Sequence, residues 1–324
     1  MDRIGSEGQQ KLLKAKVVVI GCGALGSVSA DRLVRAGVGE VVVVDRDIVE
    51  LSNLQRQLLF DDGDVGSPKA VAAVEKLRKI NPEVTIEAVV DDVNFSNIEE
   101  LISGCNVVVD ALDNTETRYL INDACVKNNI PWVYGGAIST YGMVCSIIPG
   151  QTACLRCFMP NIPRAGSMPT CDTSGVLNTI PPIIASVQCT EAYKIILGEE
   201  VASGLQFFDV WTHQFQTVGV RKADECICCG RGKYEFLDDQ KEETVTTLCG
   251  RNAVQISPIR KGEITLDELA GNLEKVGDVN FIRGILKFKT GEYELSIFSS
   301  GRAIIVGTDD IKIAKSLYAR YVGT

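Results

Sequence analysis

Val17-Val18-Val19-Ile20-Gly21-Cys22-Gly23-Ala24-Leu25-Gly26 is the stretch on which the fold turns. Four apolar residues run straight into a glycine-rich turn, a helix-forming segment follows, and Asp45 closes the next apolar run, Val41 to Val44, 19 residues after Gly26. Unbroken apolar runs suit parallel strands covered on both faces. Glycines there let the backbone approach a phosphate at a helix N-terminus, and a carboxylate at the end of the second strand can take ribose hydroxyls. Gly21, Gly23, Ala24, Gly26 and Asp45 are therefore candidate nucleotide-binding residues. The motif alone does not separate NAD, FAD, S-adenosylmethionine and ATP.

Further strands are expected at Thr85 to Val90, Val107 to Ala111, Trp132 to Tyr134 and Val144 to Ile148, with helices at Lys69 to Lys79 and Thr117 to Lys127. Strands alternating with helices predict an α/β, Rossmann-like, doubly wound sheet. Periodicity fails from Pro160 to Pro182, which holds five of the chain's ten prolines, so residues 158–182 are expected to be a crossover loop. A helix Ile183 to Leu197 and a strand Leu205 to Trp211 should follow. The first domain is expected over 1–237 and an acidic linker over 238–249. Residues 250–324 predict a small α+β domain: strands at Ala253 to Pro258, Val279 to Lys289, Tyr293 to Ser299 and Ala303 to Gly307, a helix with Leu266, Leu269, Leu273 and Val276 on one face, and a last helix capped by Asp309 or Asp310.

The chain has 324 residues with 33 Lys and Arg against 42 Asp and Glu, a net charge of −9, so no basic stripe is available for nucleic acid or anionic membranes. It lacks a signal core and any apolar run of the roughly 18 to 20 residues that span a bilayer. The expected compartment is the cytoplasm, where the 12 cysteines pose questions of metal binding and thiol chemistry rather than of disulfides.

Ser52-Asn53-Leu54-Gln55-Arg56-Gln57, Gly66-Ser67-Pro68-Lys69 and Asp110-Ala111-Leu112-Asp113-Asn114 choose among nucleotide chemistries. Hydride transfer has no use for this set. When a carboxylate attacks an α-phosphate, charge builds on the equatorial oxygens and the departing pyrophosphate, and fixed cations with a Mg²⁺-binding acid stabilise it. Arg56 and Lys69 fit as the cations, Asn53 as a polar contact to phosphate or to a metal-bound water, and Asp113 as the magnesium ligand at a strand's carboxyl end. The alternatives are an NAD-dependent oxidoreductase, which lacks a persuasive acid/base residue here, and a non-catalytic scaffold that binds a nucleotide or a ubiquitin-like protein.

Cys154-Leu155-Arg156-Cys157 and Cys226-Ile227-Cys228-Cys229 make two CxxC turns separated by 68 residues. Four thiolates suit tetrahedral Zn²⁺ and leave no open position, so Cys154, Cys157, Cys226 and Cys229 predict a structural site; a redox CxxC is the rival reading. Cys105, Cys125, Cys145 and Cys189 lie in or beside apolar patterns and are expected to be packing residues. Cys171, in the proline-rich loop before Asp172, is a candidate reactive thiol, with Cys249 a weaker second. His213 is the only histidine, so no histidine-dependent triad can be built.

The ordered motifs, with Ala36-Gly37-Val38-Gly39, Val65 to Lys69, Arg118 and the paired cysteines, resemble the ThiF/MoeB-type adenylyltransferases, which are related to ubiquitin-activating enzymes. The likeness spans roughly Gly8 to Gly230. It implies ATP-dependent adenylation of the C-terminal Gly-Gly carboxylate of a small ubiquitin-like or sulfur-carrier protein, a homodimer, and a sulfur donor or conjugating enzyme as a further partner. It also implies Asp45 on the ribose, Asn53, Arg56 and Lys69 on the phosphates, Asp113 on Mg²⁺, and Cys171 where relatives form a thioester or acyl-disulfide. Relatives commonly carry an N-terminal Tyr-x-Arg-Gln segment that reaches the partner subunit's ATP. Arg3 does not match it, so that arginine is expected to be absent or replaced. The C-terminal domain is not a feature of minimal bacterial forms and is expected to dock a partner.

Overall fold

Both valine runs become adjacent parallel strands, because helices cover the sheet on each side. The computed structural model describes residues 2–163, 171–238, 244–248, 252–258 and 264–323, without the side chains of residues 171, 172, 244 and 246–248. The chain divides into two units, Met1–Asp239 and Gln240–Thr324.

The first unit runs α1 (Gly5–Lys14), β1 (Lys16–Ile20), α2 (Ala24–Arg35), β2 (Glu40–Val44), α3 (Lys69–Ile80), β3 (Thr85–Val89), α4 (Ile98–Leu101), β4 (Val107–Asp110), α5 (Thr115–Lys127), β5 (Trp132–Ile138) and β6 (Tyr141–Ile147). It continues with α6 (Leu155–Phe158), α7 (Cys171–Ser174), α8 (Ile180–Leu197), β7 (Leu205–Asp209), β8 (Gln214–Val218) and α9 (Glu235–Asp238). The sheet order is β3-β2-β1-β4-β5-β6-β7-β8. The first five strands are parallel and the last three antiparallel. Val17, Val19, Val41, Val43, Val107 and Val109 pack on one face with α2, α3 and α8. Val18, Ile20, Val42, Val44 and Val108 pack on the other with α4, α5 and the cysteine turns. A strand buried on both faces needs apolar residues at every position, which is why these runs do not alternate.

Register places Ile20 opposite Val44 and Asp110, so the segments after β1, β2 and β4 leave along one edge of the sheet. The chain departs from β1 toward β2 on one side and reaches β4 on the other. That divergence is a topological switch point, where open α/β sheets form their ligand crevice.

The second unit comprises β9 (Thr244–Leu248), β10 (Ala253–Ser257), α10 (Leu266–Leu273), β11 (Asp278–Ile282), β12 (Ile285–Thr290), β13 (Tyr293–Ile297), β14 (Ala303–Val306) and α11 (Ile311–Tyr321). Its antiparallel sheet has the order β11-β12-β13-β14-β10-β9. Val254, Ile256, Leu286, Phe288, Leu295, Ile297 and Ile305 meet Ala270, Leu273 and Ala314 of the helices in one core. Asp310, not Asp309, caps α11, its Oδ1 accepting from the Lys312 N–H at 2.7 Å.

Several expectations are corrected. Helix α8 starts at Ile180, not Ile183, because Pro181 and Pro182 sit in its first turn, where the missing N–H groups have no helical partner to lose. Of the crossover segment 158–182, residues 164–170 lie outside the described part, whereas Cys171–Ser174 form a turn of helix. Strand β8 was not expected: all five of its residues are exposed, so it carries no burial pattern to read. Strand β9 pairs with β10, which makes part of the expected linker 238–249 a sheet strand. Val276 lies beyond α10 and is 58 % exposed, so it does not share that helix's buried face.

Candidate functional site

The glycine turn has three glycines with three different reasons. Gly21 has φ of +94°, and a Cβ there would lie 2.5 Å from the Ala111 carbonyl oxygen. At Gly26 a Cβ would lie 1.9 Å from the Gly21 carbonyl oxygen, so helix α2 can pack against the turn only without a side chain. Gly23 caps α2 with no side-chain hydrogen bond, and a Cβ there would meet nothing within 4 Å except Gln57 Nε2, at 3.8 Å. The first and third glycines therefore build the turn, and the second keeps its outer surface open for a phosphate. Ala24 is the first residue of α2.

Asp45 lashes this turn to β2. Its Oδ2 accepts from the Cys22 N–H and its Oδ1 from the Asp47 N–H, both at 2.6 Å. Burial holds the Asp45 carboxyl above the usual carboxylate range, with Lys69 opposing the shift. Lys69 is the first residue of α3, its side chain is 5 % exposed, and its Nζ lies 3.2 Å from Asp47 Oδ2. Arg46 extends the chain of alternating charge: its Nη1 donates to Asp92 Oδ1 at 3.0 Å. Asn53 is buried in a short 3₁₀ turn, and its Oδ1 accepts from the Glu50 N–H at 3.2 Å. One turn on, Arg56 donates from Nη1 to the Ser52 carbonyl at 3.1 Å.

On the other side of β1, Asp110 ends β4 with no exposure and meets Arg118 Nε at 3.0 Å. Burial raises the Asp110 pKa, with Arg118 opposing it. Arg118 also donates to the Gly135 carbonyl at 2.7 Å and lies 5.0 Å over the Tyr134 ring. This buried pair fixes the start of α5, where Asn114 Oδ1 caps the Thr117 N–H at 2.9 Å. Asp113 stands exposed on the turn just before that cap, within electrostatic reach of Arg46 and Arg118. Gly21, Gly23, Ala24, Gly26, Asp45, Lys69 and Asp113 thus gather at the carboxyl edge of β1, β2 and β4, with Asn53 and Arg56 on the turn that follows β2. Asp110 and Arg118 lie in the quoted motifs but had no role assigned there, and Arg46 and Asp47 belong to none of them; that these charges pair with one another is a result of the fold.

Cys154, Cys157, Cys226 and Cys229 converge: their sulfurs all lie within 4.8 Å of one another. Neighbouring Sγ atoms are 3.9 Å (Cys154–Cys157), 3.6 Å (Cys154–Cys226) and 3.4 Å (Cys157–Cys229) apart. A tetrahedron with Zn–S bonds of about 2.3 Å has edges of about 3.8 Å, so this donor set fits Zn²⁺. Hydrogen bonds, first from Cys228 and then from Cys226 and Cys229, draw the Cys154 thiol down to about 4. Asn122 of α5 clamps both turns, accepting from the Leu155 N–H at 2.9 Å and donating to Cys228 Sγ at 3.2 Å.

Cys22, Cys125, Cys145 and Cys189 are buried and Cys105 is half-buried, as their apolar surroundings predict. Cys171 opens α7, but its side chain lies outside the described part, as does the whole of Cys249. His213 sits in the turn between β7 and β8, with φ of 55°. No helix among the described residues is long and apolar enough to cross a membrane.

Residues 1–228 match the model of the ThiF family. The chain is 42 % identical over 325 residues to the sulfur carrier protein ThiS adenylyltransferase of Bacillus subtilis, covering 99 % of this chain and 96 % of the relative. It is 44 % identical over 241 residues to the SAMP-activating enzyme E1 of Haloferax volcanii, covering 74 % of this chain and 89 % of that one. Among solved structures, Escherichia coli MccB with ATP superposes with a TM-score of 0.62 at 23 % identity, over 69 % of each chain, a likeness of fold.

Proposed function

This chain belongs to the ThiF family, and from that premise we propose that it adenylates the C-terminal Gly-Gly carboxylate of a small sulfur-carrier or ubiquitin-like protein at the expense of ATP. The observation that carries the reading is the convergence of the open Gly23 surface, buried Lys69 and exposed Asp113 on one sheet edge. The carrier's terminal carboxylate oxygen attacks the α-phosphorus, the bond from that phosphorus to the bridging oxygen breaks, and pyrophosphate leaves with the electron pair.

The N–H groups at the start of α2 bind phosphate oxygens, and Asp45 takes the ribose hydroxyls. Asn53, Arg56 and Lys69 hold the phosphates, with the cations offsetting charge that grows as pyrophosphate departs. Lys69 reaches this task preorganised, since Asp47 already fixes its ammonium in a nearly closed site. Asp113 would hold Mg²⁺, which supplies a further positive charge to the phosphates. The four thiolates would hold Zn²⁺ as a structural centre joining two segments distant in sequence.

The working protein is a homodimer in this reading; exposed Leu51, Leu58 and Val65, 67 %, 59 % and 42 % accessible, support a second copy beside the turn that carries Asn53 and Arg56. The free thiols favour a cytoplasmic setting.

Carrier-dependent exchange of labelled pyrophosphate into ATP tests the function. Exchange is expected with a Gly-Gly-ended carrier, with Lys69→Ala and Asp113→Ala each lowering its rate by at least about a hundredfold. Unchanged exchange in either variant refutes that residue's role, and saturable NAD(H) binding with no exchange refutes the adenylyltransferase reading. Non-reducing mass spectrometry reads the next step: an adduct at Cys171 marks transfer through a thiol, and its absence marks hand-over to a separate sulfur donor.

A further inference from the structure

Gln57 follows Arg56 on the turn after β2 and is 4 % exposed. Its Oε1 is enclosed without a hydrogen-bond partner. Its Nε2 lies 3.8 Å from the point where a Cβ on Gly23 would stand, and no other atom outside the turn comes within 4 Å of that point. Gly23 caps α2, a helix of 12 residues, and no side chain caps it in return. A carboxamide is thus held under the open part of the turn, aimed at the N-terminus of a long helix.

Enclosing an acceptor without a partner costs stability that an apolar side chain of equal length would not. Packing therefore favours methionine here, so the reason for glutamine lies at the other end of the amide, the Nε2 that faces Gly23. A donor at that place adds to the N–H groups of α2 in the direction where an anion seats. Because it is neutral, it fixes orientation without the desolvation cost of a third cation beside Arg56 and Lys69.

We propose that Gln57 is a further phosphate-binding residue, its Nε2–H donating to a phosphate oxygen of a nucleotide seated on Gly21 to Gly26. The role rests on the nucleotide reading above and adds to it a ligand that acts on the phosphates and not on the nucleoside.

Two variants and two probes test it. Gln57→Met keeps length and burial but removes the donor, and Gln57→Glu puts a carboxylate beside the phosphates. Calorimetric titration of the full chain with ATP-Mg²⁺ and with adenosine gives the readout, and thermal melts confirm folding. Gln57→Met is expected to weaken ATP about tenfold to a hundredfold, and Gln57→Glu more, while adenosine affinity stays within about twofold. Equal ATP affinity in wild type and Gln57→Met overturns the proposal, as does an equal loss for adenosine, which marks a merely structural role. A wild-type chain that binds ATP no better than adenosine overturns the nucleotide reading itself; a wild type that prefers ATP, with the preference kept in both variants, overturns the role of Gln57 alone.

Discussion

Replacing Gly26 and Gly23 by alanine one at a time separates the part of the glycine turn that builds the fold from the part that meets a ligand. At Gly26 the added Cβ lies 1.9 Å from the Gly21 carbonyl oxygen, 2.8 Å from its carbon and 3.1 Å from Ala111 Cβ. The nearest of these is main chain, so relief needs α2 and the turn to part by about 1.5 Å in a close-packed interior. Overpacking that side chains can absorb costs about 1–3 kcal/mol, and here main chain must yield, which puts the cost at about 3 kcal/mol or more. For a unit of this size that lowers the melting temperature by about 6–12 °C. Gly23 has φ of −83° but ψ of −142°, outside the main α and β regions, so alanine there carries some backbone strain, although its Cβ would meet only the Gln57 amide. Strain and loss of the preferred glycine cap together cost about 1–2 kcal/mol, less than the main-chain clash at Gly26, so Gly23→Ala should melt about 2–6 °C below wild type. It should nevertheless weaken ATP at least about tenfold, because the methyl group stands where a phosphate approaches the N–H groups of α2. Differential scanning fluorimetry and calorimetric titration measure the two effects. Similar melting losses in both variants, or full ATP affinity in Gly23→Ala, would refute this division of labour.

Three further outcomes are expected. Purified protein should carry about one zinc per chain by atomic absorption, and Cys226→Ser should lose it and melt more than about 10 °C lower; Asn122→Ala should keep the metal but release it faster to a chelator. Burial pushes Cys105, Cys145 and Cys189 up to about 12, so each stays a neutral thiol until pH nears that value. Iodoacetamide at pH 8 should therefore leave them unmodified until denaturant is added, with little gain at pH 9, and native-state alkylation would contradict this. A chain ending at residue 239 should retain pyrophosphate exchange but need more carrier for half-maximal rate, whereas one ending at 249 should aggregate because β9 loses its partner β10. Unchanged carrier dependence in the shorter chain would exclude docking by the second unit.

Much of the candidate site was legible because its signals are local. Val17 to Gly26 with Asp45 encodes strand, turn, helix and acid in linear order, and CxxC spacing encodes a metal-binding turn in four residues. Strand β8 escaped because an exposed edge need not alternate, and β9 because its short β-branched run, Thr244–Leu248, lies in a stretch that otherwise reads as polar linker. Arg46 escaped for another reason: between Asp45 and Asp47 it reads as one more charge of a polar turn, and the partner that anchors it, Asp92, arrives from 46 residues away.

The sequence by itself determined the doubly buried parallel strands, the glycines that only a close turn can use, and the two CxxC turns whose four cysteines come together. These follow from covalent and short-range rules, namely apolar runs, absent side chains and residue spacing. Tertiary structure alone decided that Gly23 faces only the Gln57 amide while Gly21 and Gly26 face main chain, that Asn122 joins two cysteine turns, and that the Gln57 amide points at the start of α2. Each of those depends on groups brought within a few ångströms by packing, and the distance between two such groups is not a property of either segment taken alone.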